Sequence, residues 1–169
     1  RELHRFVSES LEQLPSPILV CSPTGQVVLV NAAARAYAHS SGISDLPGRP
    51  VAEVLQSLRS NTDQRPLLTA QALAQGQVPA RSEGQDAQGR SLLLQCQPFA
   101  HTGNAGWLLS LVDLSEIRRA LAMGATDALL LNDPSYANLD VLGAAKVVAD
   151  AIKKLGDVDL VLTGRNSTD

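Results

Sequence analysis

The chain has 169 residues and a formal net charge of −3; 44% of its residues are hydrophobic and 18% are charged. A chain with this balance can bury a core, so it forms one folded domain or two small ones rather than a disordered tail. Aromatic residues make up only 3% of the chain, which argues against a base-stacking surface for single-stranded nucleic acid. The charge offers no attraction to phosphate backbones or anionic lipid. No apolar run is long enough to span a membrane and no signal-peptide core is evident, so we expect a cytoplasmic protein without nucleic-acid or membrane partners.

Residue usage changes along the chain, which indicates a domain boundary. Lysine first occurs at Lys146, glutamine does not recur after Gln97, and every histidine lies at or before His101. Formal charges balance over Arg1–Arg119, and the acidic excess lies in the remaining C-terminal residues. We therefore place a boundary near Ala120.

The N-terminal residues carry an apolar helical stripe. Pro15 disfavours helix at the residue before it, so the pattern predicts a helix over residues 1–14. A helix outside a domain core needs a partner for such a face, and we expect a homodimer formed through this helix and the adjoining domain. Packing of the helix on a sheet of its own chain is the alternative. The apolar side chains recur every three or four positions, at Leu3, Phe6, Val7, Leu11 and Leu14.

A mixed pattern of strands and short helices comes next. The stretch ILVCSPTGQVVLVN predicts a hairpin, because the proline and glycine of Ser22–Gly25 suit the second and fourth positions of a type I turn. Asn31 suits the N-cap of a helix that ends at Gly42. Two further short helices are predicted in GRPVAEVLQSLRS and RPLLTAQALAQG. The period then changes, and ARSEGQ, RSLLLQCQPFA and GWLLSLVDLS predict a meander of three strands.

This order of elements resembles the PAS domain over roughly residues 10–118. The matching stretches are LPSPILVCSPTGQVVLVNAAARAYA, LPGRPVAEVL, DAQGRSLLLQCQPF and the terminal LVDLSEIRR. The last is similar to the aspartate-led strand exit that couples many PAS domains to an output helix. The resemblance implies an α+β fold over residues 15–118, with a five-stranded antiparallel sheet whose concave face is covered by helices. It also implies a sensory role, through a ligand held between helices and sheet or through dimerisation.

Candidate pocket residues of this PAS-like part occupy alternate positions of the predicted strands and one covering helix. Such positions are more often plain core than ligand lining, so an empty, purely structural core is the favoured interpretation; any ligand among them would be small and largely apolar. The cysteine motif of flavin-binding PAS domains is absent, and no axial histidine for haem lies between Arg59 and Gln77. We therefore expect no flavin or haem and a colourless protein. The candidates are Leu19, Cys21, Leu29, Leu73, Leu94, Cys96, Leu109 and Leu111.

The C-terminal part has a pattern typical of an α/β unit. EIRRALAM predicts a helix that ends at Gly124, and NLDVLGAAKVVADAIKKLG predicts a longer helix with Lys153 and Lys154 in its last turn and Gly156 as its stop. The runs ALLL and VDLVLTG are continuously apolar, like strands buried on both faces of a parallel sheet. We therefore expect a partial α/β unit in the order helix-strand-helix-strand, with a right-handed crossover.

Over about residues 117–169 the sequence resembles the β subunit of electron transfer flavoprotein, through RRALAMGATDALLLNDP and AAKVVADAIKKLGDVDLVLTGRNSTD. We assign residues 119–169 to this part, as a fragment of such a subunit. In that family the loop after the second strand helps to hold an AMP, while an α subunit carries the redox-active FAD. The resemblance implies AMP as a ligand and an α-like flavoprotein subunit as a partner. The AMP-binding residues it implies are Met123, Gly124, Gly164, Arg165, Asn166, Ser167, Thr168 and Asp169.

The sequence favours a non-catalytic sensory or interaction module. No carboxylate pair, metal-ligand cluster or activated nucleophile occurs at a usable spacing, so we expect neither an enzyme nor a metal site. The first alternative is an adenine-nucleotide-binding electron-transfer component fused to a PAS domain that regulates it. The second is a fusion of two parts with no coherent function.

Overall fold

The computed structural model describes residues 11–101, 103–131, 136 and 139–163. The chain divides into two compact units, Arg1–Leu131 and Asn132–Asp169, and each is described by itself. Among the described residues, no helix has the length and apolar character needed to cross a membrane.

The first unit is built on one antiparallel sheet of six strands. The three-stranded meander and the N-terminal hairpin predicted from the sequence are both confirmed. The strands are β1 (Ile18–Cys21), β2 (Val27–Val30), β3 (Arg59–Ser60), β4 (Arg81–Gln85), β5 (Ser91–His101) and β6 (Asn104–Asp113). In space they lie in the order β2-β1-β6-β5-β4-β3, so β1 of the hairpin pairs with β6, the last strand of the meander.

The hairpin turn forms where the proline and glycine predicted it. The amide of Gly25 donates to the carbonyl oxygen of Ser22 at 2.9 Å, and Gly25 has a φ of +82°. Glycine suits this position twice over, because a Cβ on Gly25 would also lie only 2.8 Å from Leu73 Cδ1. The turn thus closes against one of the covering helices.

After residue 14, the described part of the first unit forms the helices α1 (Ala32–Ser40), α2 (Val51–Val54), α3 (Ala70–Ala74) and α4 (Ser115–Ala122). Asn31 caps α1 as predicted, since its side chain accepts a hydrogen bond from the amide of Ala34. Helices α2 and α3 are shorter than GRPVAEVLQSLRS and RPLLTAQALAQG predicted. The end of the first stretch instead forms β3, because its backbone pairs with β4. The sheet therefore has six strands where five were predicted.

The end of the predicted N-terminal helix is helical at residues 11 and 12. Residues 1–10 lie outside the described residues, so the predicted helix and its dimer contact stay predictions. The described end is tied to the domain by an ion pair between Glu12 and Arg35.

The core lies between the inner face of the sheet and helices α1 to α3. Nineteen buried hydrophobic residues form this single cluster. They come from the inner-facing positions of the strands and from helix and loop residues such as Tyr37, Val51, Leu58 and Leu68. An antiparallel sheet covered on one face leaves its other face to solvent, which explains the alternation of buried and exposed residues along β5 and β6.

The second unit contains one described helix, α5 (Val141–Leu155). Asp140 caps it by accepting a hydrogen bond from the amide of Gly143 at 2.7 Å. It ends at Gly156, whose φ is +65°. The predicted helix and its stop at Gly156 are therefore confirmed.

Among the described residues, neither of the two strands predicted around this helix forms. Residues 128–131, at the end of the first unit, and residues 158–163, in the second, have no strand pairing. A strand needs a neighbour to satisfy its backbone amides and carbonyls, and the described residues supply no partner for either run. Their side chains are accordingly exposed, to 60% at Leu129 and 86% at Leu162.

Candidate functional site

Seven of the eight predicted pocket residues are brought together on the inner face of the first unit. The register pairs Leu19 of β1 with Leu109 of β6, and Leu109 in turn with Cys96 of β5, so these three form one row across the sheet. A second cross-strand pair, Leu94 with Leu111, lies beside this row. With Cys21 and Leu73, all seven are buried in the core cluster.

The eighth residue, Leu29, lies elsewhere. It is the cross-strand partner of Val20, on the outer face, and is only half-buried. The register shifts between Val20 and Cys21, so an extra residue of β2 reverses the alternation of its side chains. Val27 and Val30 therefore contact the core where strict alternation would have put Leu29.

The two cysteines of the inner face are free, buried thiols. Burial raises the pKa of Cys21 to about 12, with a smaller contribution from Cys96, and burial raises the pKa of Cys96 to about 11. Both stay protonated at neutral pH, and a protonated thiol is a poor nucleophile and metal ligand. Their role here is to fill the core.

A polar group that sequence reasoning missed borders this core. The Asp86 side chain is 0% exposed, and it accepts hydrogen bonds from the amides of Gln88 and Arg90 and from Arg90 Nε, the last at 2.7 Å. The guanidinium of Arg90 lies 5.3 Å from the ring centroid of Tyr37. Burial, and then the charge of Asp86, raise the pKa of Tyr37. The available sequence signal for this ion pair was the spacing of Asp86 and Arg90 in DAQGR, but that stretch by itself indicates only a turn.

Arg90 and Tyr37 also face a groove of about 440 Å³. The groove lies at the end of the sheet where the chain enters the domain, at Pro15–Pro17, and leaves it, at Asp113. The amide of Leu111 donates to the carbonyl oxygen of Pro17 at 3.1 Å and so joins the two segments. The walls are Pro15, Pro17, Ala33, Ala36, Tyr37, Ser40, Arg90, Leu92, Leu111 and Asp113.

Asn31 holds the incoming segment in place. Its Oδ1 accepts hydrogen bonds from the amides of Ile18 and Ala34, both at 2.9 Å, and its Nδ2 donates to the carbonyl oxygens of Leu14 and Ser16. The residue is 0% exposed. It therefore caps α1 and clamps the segment before β1 at the same time, and only the cap was predicted.

The outgoing helix α4 is anchored to the sheet at its first turns. The amide of Leu114 donates to the Ser91 carbonyl oxygen at 2.7 Å. Arg118 of α4 forms an ion pair with Glu83 of β4 at 2.9 Å. The helix ends at Gly124, whose φ is +101°, as the sequence predicted.

The predicted AMP-binding residues are only partly within the described part of the chain. Met123 and Gly124 come directly after α4 in the first unit, and Met123 is 82% exposed. Residues 164–169 lie outside the described residues, so AMP binding stays a prediction. Among the described residues, no three histidine, cysteine, aspartate or glutamate side chains are grouped closely enough to hold a metal ion.

The fold of the first unit is that of a PAS domain: an antiparallel sheet with short helices over its inner face and an outgoing helix after the last strand. The family model described as "PAS fold" matches residues 11–119. The chain belongs to this family.

The C-terminal part is similar to a second family. The model described as "Electron transfer flavoprotein domain" matches residues 110–169. Two curated proteins are each 43% identical to this chain over 53 residues: the caffeyl-CoA reductase–Etf complex subunit CarD of Acetobacterium woodii and the electron transfer flavoprotein subunit beta of Thermoanaerobacterium thermosaccharolyticum. The match covers 31% of this chain and 20% of either relative, so the chain spans about a fifth of their length.

Solved structures similar to the chain include PAS and sensor domains. The PAS domain of Bordetella pertussis BvgS has a TM-score of 0.49 and 15% identity, and the match covers 73% of this chain and 94% of that one. The PAS domain of an HTR-like protein from Haloarcula marismortui has a TM-score of 0.45 and 16% identity, with 66% and 92% covered. The sensor region of a sensor histidine kinase has a TM-score of 0.47 and 23% identity, with 61% and 40% covered.

Proposed function

We propose that the chain is a non-catalytic sensory module whose PAS domain acts by ligand sensing, by dimerisation, or by both. The observation that carries the proposal is the hydrogen bond between Leu111 and Pro17, which joins the incoming and outgoing segments at one end of the sheet. Leu111 is also part of the buried core. Since packed interiors transmit displacement rather than absorb it, a change in the core moves both segments together. Helix α4 is the first element to receive that change.

The chemistry of the inner face supports a non-catalytic role. The two thiols are kept protonated by burial. The buried carboxylate of Asp86 is held by three donors, one of them the guanidinium of Arg90. A catalytic site needs a nucleophile or base that is exposed to substrate and poised to change protonation. Neither group meets this requirement.

Coupling between the core and α4 is the testable content of the proposal. Leu109→Ala removes the central side chain of the row of Leu19, Leu109 and Cys96, and a cavity lined by apolar side chains binds small hydrocarbons. We expect the substitution to speed amide hydrogen exchange in α4 as well as in β1, and saturating toluene to reverse both effects. Exchange in α5 serves as the reference in the same sample.

Faster exchange in β1 with no change in α4 would refute the coupling. Leu109→Ala costs roughly 2–5 kcal/mol of stability, so Leu109→Val is the second variant. It makes a smaller cavity, and the same pattern of exchange is expected at lower amplitude.

A second candidate function is that of an adenine-nucleotide-binding component of an electron-transfer flavoprotein, with an α-like subunit as its partner. The stretch of 43% identity to two such subunits favours it. Against it stand residues 128–131 and 158–163, which lack the strand pairing from which a nucleotide site on a parallel sheet takes its walls. We therefore rank it below the sensory role.

Calorimetric titration with AMP separates the two candidates. We expect binding no tighter than roughly millimolar, a standard free energy near −4 kcal/mol. An intact site would instead bind AMP at micromolar concentration and lose affinity in Arg165→Ala, because a charge-assisted contact contributes about 1.5–3 kcal/mol. Lys154→Ala, a loss of the same charge in the last turn of α5, is the matched control.

A further inference from the structure

The groove at the end of the sheet has an apolar floor and two charged residues, Arg90 and Asp113, in its wall. Its floor is made by prolines of the incoming segment, alanines of α1 and the inward-facing Leu92 and Leu111. Its volume of about 440 Å³ falls in the range that accommodates small metabolites. Its charged residues, Arg90 and Asp113, project from neighbouring strand ends, since Leu92 and Asp113 are cross-strand partners.

The first of these charged residues, Arg90, offers hydrogen-bond donors. Arg90 Nε donates to Asp86, and Nη2 lies 3.4 Å from Ser40 Oγ, while Nη1 has no protein acceptor among the described residues. The Asp86 pair and the Tyr37 ring hold the guanidinium in one orientation. A guanidinium fixed in this way is suited to a second carboxylate, because its planar fork loses little further entropy on binding.

The second charged residue, Asp113, offers a hydrogen-bond acceptor. Oδ1 of Asp113 accepts a hydrogen bond from the amide of Ser115 at 2.8 Å, and its other oxygen has no protein donor among the described residues. Arg90 forms its ion pair with Asp86 and not with Asp113. Arg90 therefore has a nitrogen, and Asp113 an oxygen, that remains free to bind a ligand group of opposite charge.

We propose that this groove binds an apolar α-amino acid. The carboxylate pairs with Arg90, the ammonium group pairs with Asp113, and the aliphatic or aromatic side chain covers the floor of Pro15, Pro17 and the two leucines. The proposal rests on the sensory role proposed above and names its ligand class. A simple carboxylate would leave the second oxygen of Asp113 without a donor, and a simple amine would leave Arg90 Nη1 without an acceptor. A zwitterion supplies both partners.

Such a ligand would contact both the incoming prolines and Asp113, the last residue of β6, two positions before α4 begins. Its binding would therefore act directly on the junction between the sheet and the outgoing helix.

Isothermal titration of the full chain with L-leucine tests the proposal. We expect saturable binding that is weakened at least about tenfold by N-acetylation or by amidation of the ligand, since each change removes one charge-assisted contact. L-serine, which has the same charges and no apolar side chain, should bind at least about tenfold more weakly. No measurable binding of L-leucine or L-phenylalanine would overturn the proposal.

Two pairs of variants locate the site. Ala36→Trp fills the groove from the exposed side of α1 and should abolish binding. Ala32→Trp, on the same helix but outside the groove, should leave binding unchanged. Asp113→Asn should weaken L-leucine binding about tenfold while leaving N-acetyl-L-leucine, which has no ammonium group, at its wild-type affinity. Binding that survives Ala36→Trp would place the ligand elsewhere and refute this site.

The outcome is separable from the sensory role itself. If exchange in α4 responds to Leu109→Ala and to toluene but no amino acid binds, the domain couples its core to α4 and the ligand class proposed here is wrong. If an amino acid binds in the groove and α4 does not respond to either perturbation, the site exists and the sensory role is wrong.

Discussion

At the scale of single residues, Asn31 contributes more than its place in the sequence suggests. An N-cap asparagine satisfies one orphan amide of a helix. Here the same side chain makes four hydrogen bonds, to two amides and two carbonyl oxygens of three different segments. Because it is fully buried, losing it leaves several backbone groups without partners, and each costs free energy that an exposed cap would not.

We expect Asn31→Ala to lower the free energy of unfolding by at least about 3 kcal/mol, the sum of a lost cap and at least one unsatisfied buried group. Thr69→Ala is the matched control, because Thr69 caps α3 at an exposed position with a single hydrogen bond to Ala72. It should cost about 1 kcal/mol. Urea denaturation followed by circular dichroism measures both, and equal losses would show that the clamp contributes nothing beyond the cap.

The buried thiols give a pH dependence of stability. Their folded pKa values, about 12 for Cys21 and about 11 for Cys96, lie above the ordinary value of 9.0. The unfolded chain therefore loses these protons first, so the stabilisation is complete below about pH 9 and declines as pH rises toward 12. We expect the melting temperature to fall from about pH 8 to about pH 10.5, and to fall less in Cys21→Val. An identical decline in the variant would contradict the assignment to Cys21.

At the scale of elements, α4 is the helix through which the chain leaves the PAS domain. Its first turn is held by the backbone bond from Leu114 to Ser91, and its middle by Arg118 and Glu83. The ion pair is about half exposed on both sides, so it contributes little to global stability. Its contribution is instead to fix the direction in which the helix leaves the sheet.

We expect Arg118→Gln to speed amide exchange in residues 115–122 while the melting temperature changes little. Arg119→Gln is the control, since Arg119 pairs with Glu116 inside the same helix and not with the sheet. A comparable effect of the two substitutions would mean that helix propensity, rather than docking on β4, determines the exchange rate.

The end of the predicted N-terminal helix is attached to the first unit. Glu12 pairs with Arg35 of α1, and the carbonyl oxygen of Leu14 accepts a hydrogen bond from Asn31. Deletion of residues 1–10 therefore removes most of the apolar stripe and keeps these two contacts. We expect light scattering to show a dimer for the full chain and a monomer for the deletion. A dimer of unchanged mass would favour packing of the stripe on its own domain.

At the scale of the whole molecule, the two parts of the chain differ in how completely they satisfy their apolar residues. The first unit has one core of buried hydrophobic side chains between its sheet and helices. Around α5, apolar residues stay exposed, to 87% at Val141 and 74% at Leu160. A stretch that exposes so much apolar surface, and whose described residues form no sheet, is the less stable part of a protein.

We expect hydrogen exchange to show this difference directly. Amides of residues 128–131 and 158–163 should exchange within seconds at neutral pH, while those of β5 and β6 should be protected for hours, as is typical of the extremes of local stability. Addition of a flavoprotein α-like subunit is the informative second condition. Protection of the two runs in the chain alone would show that they are paired after all, with each other or with a second copy.

Most features of the first unit were predictable from local sequence patterns. The hairpin turn, the cap at Asn31, the stop at Gly42 and the three-stranded meander each depend on neighbours within a few residues, and each was predicted. The stop of α5 at Gly156 was predicted on the same ground. Turn chemistry, capping and side-chain alternation act over one turn or one strand pair, which is why a sequence read without a structure reveals them.

The remaining features depended on distant partners. Leu29 faces outward because a bulge in β2 shifted the register against β1, and residues 59–60 became a strand because β4 lay beside them. The runs ALLL and VDLVLTG have every local feature of buried strands, yet their described residues, 128–131 and 158–163, form none, because a strand exists only when another backbone completes its hydrogen bonds. Arg90 and Asp113 are far apart in the chain and share a groove. By itself the sequence determined where turns, caps and apolar faces lie; only the tertiary structure decided which of them met, since that depends on pairing and packing between residues that the chain separates.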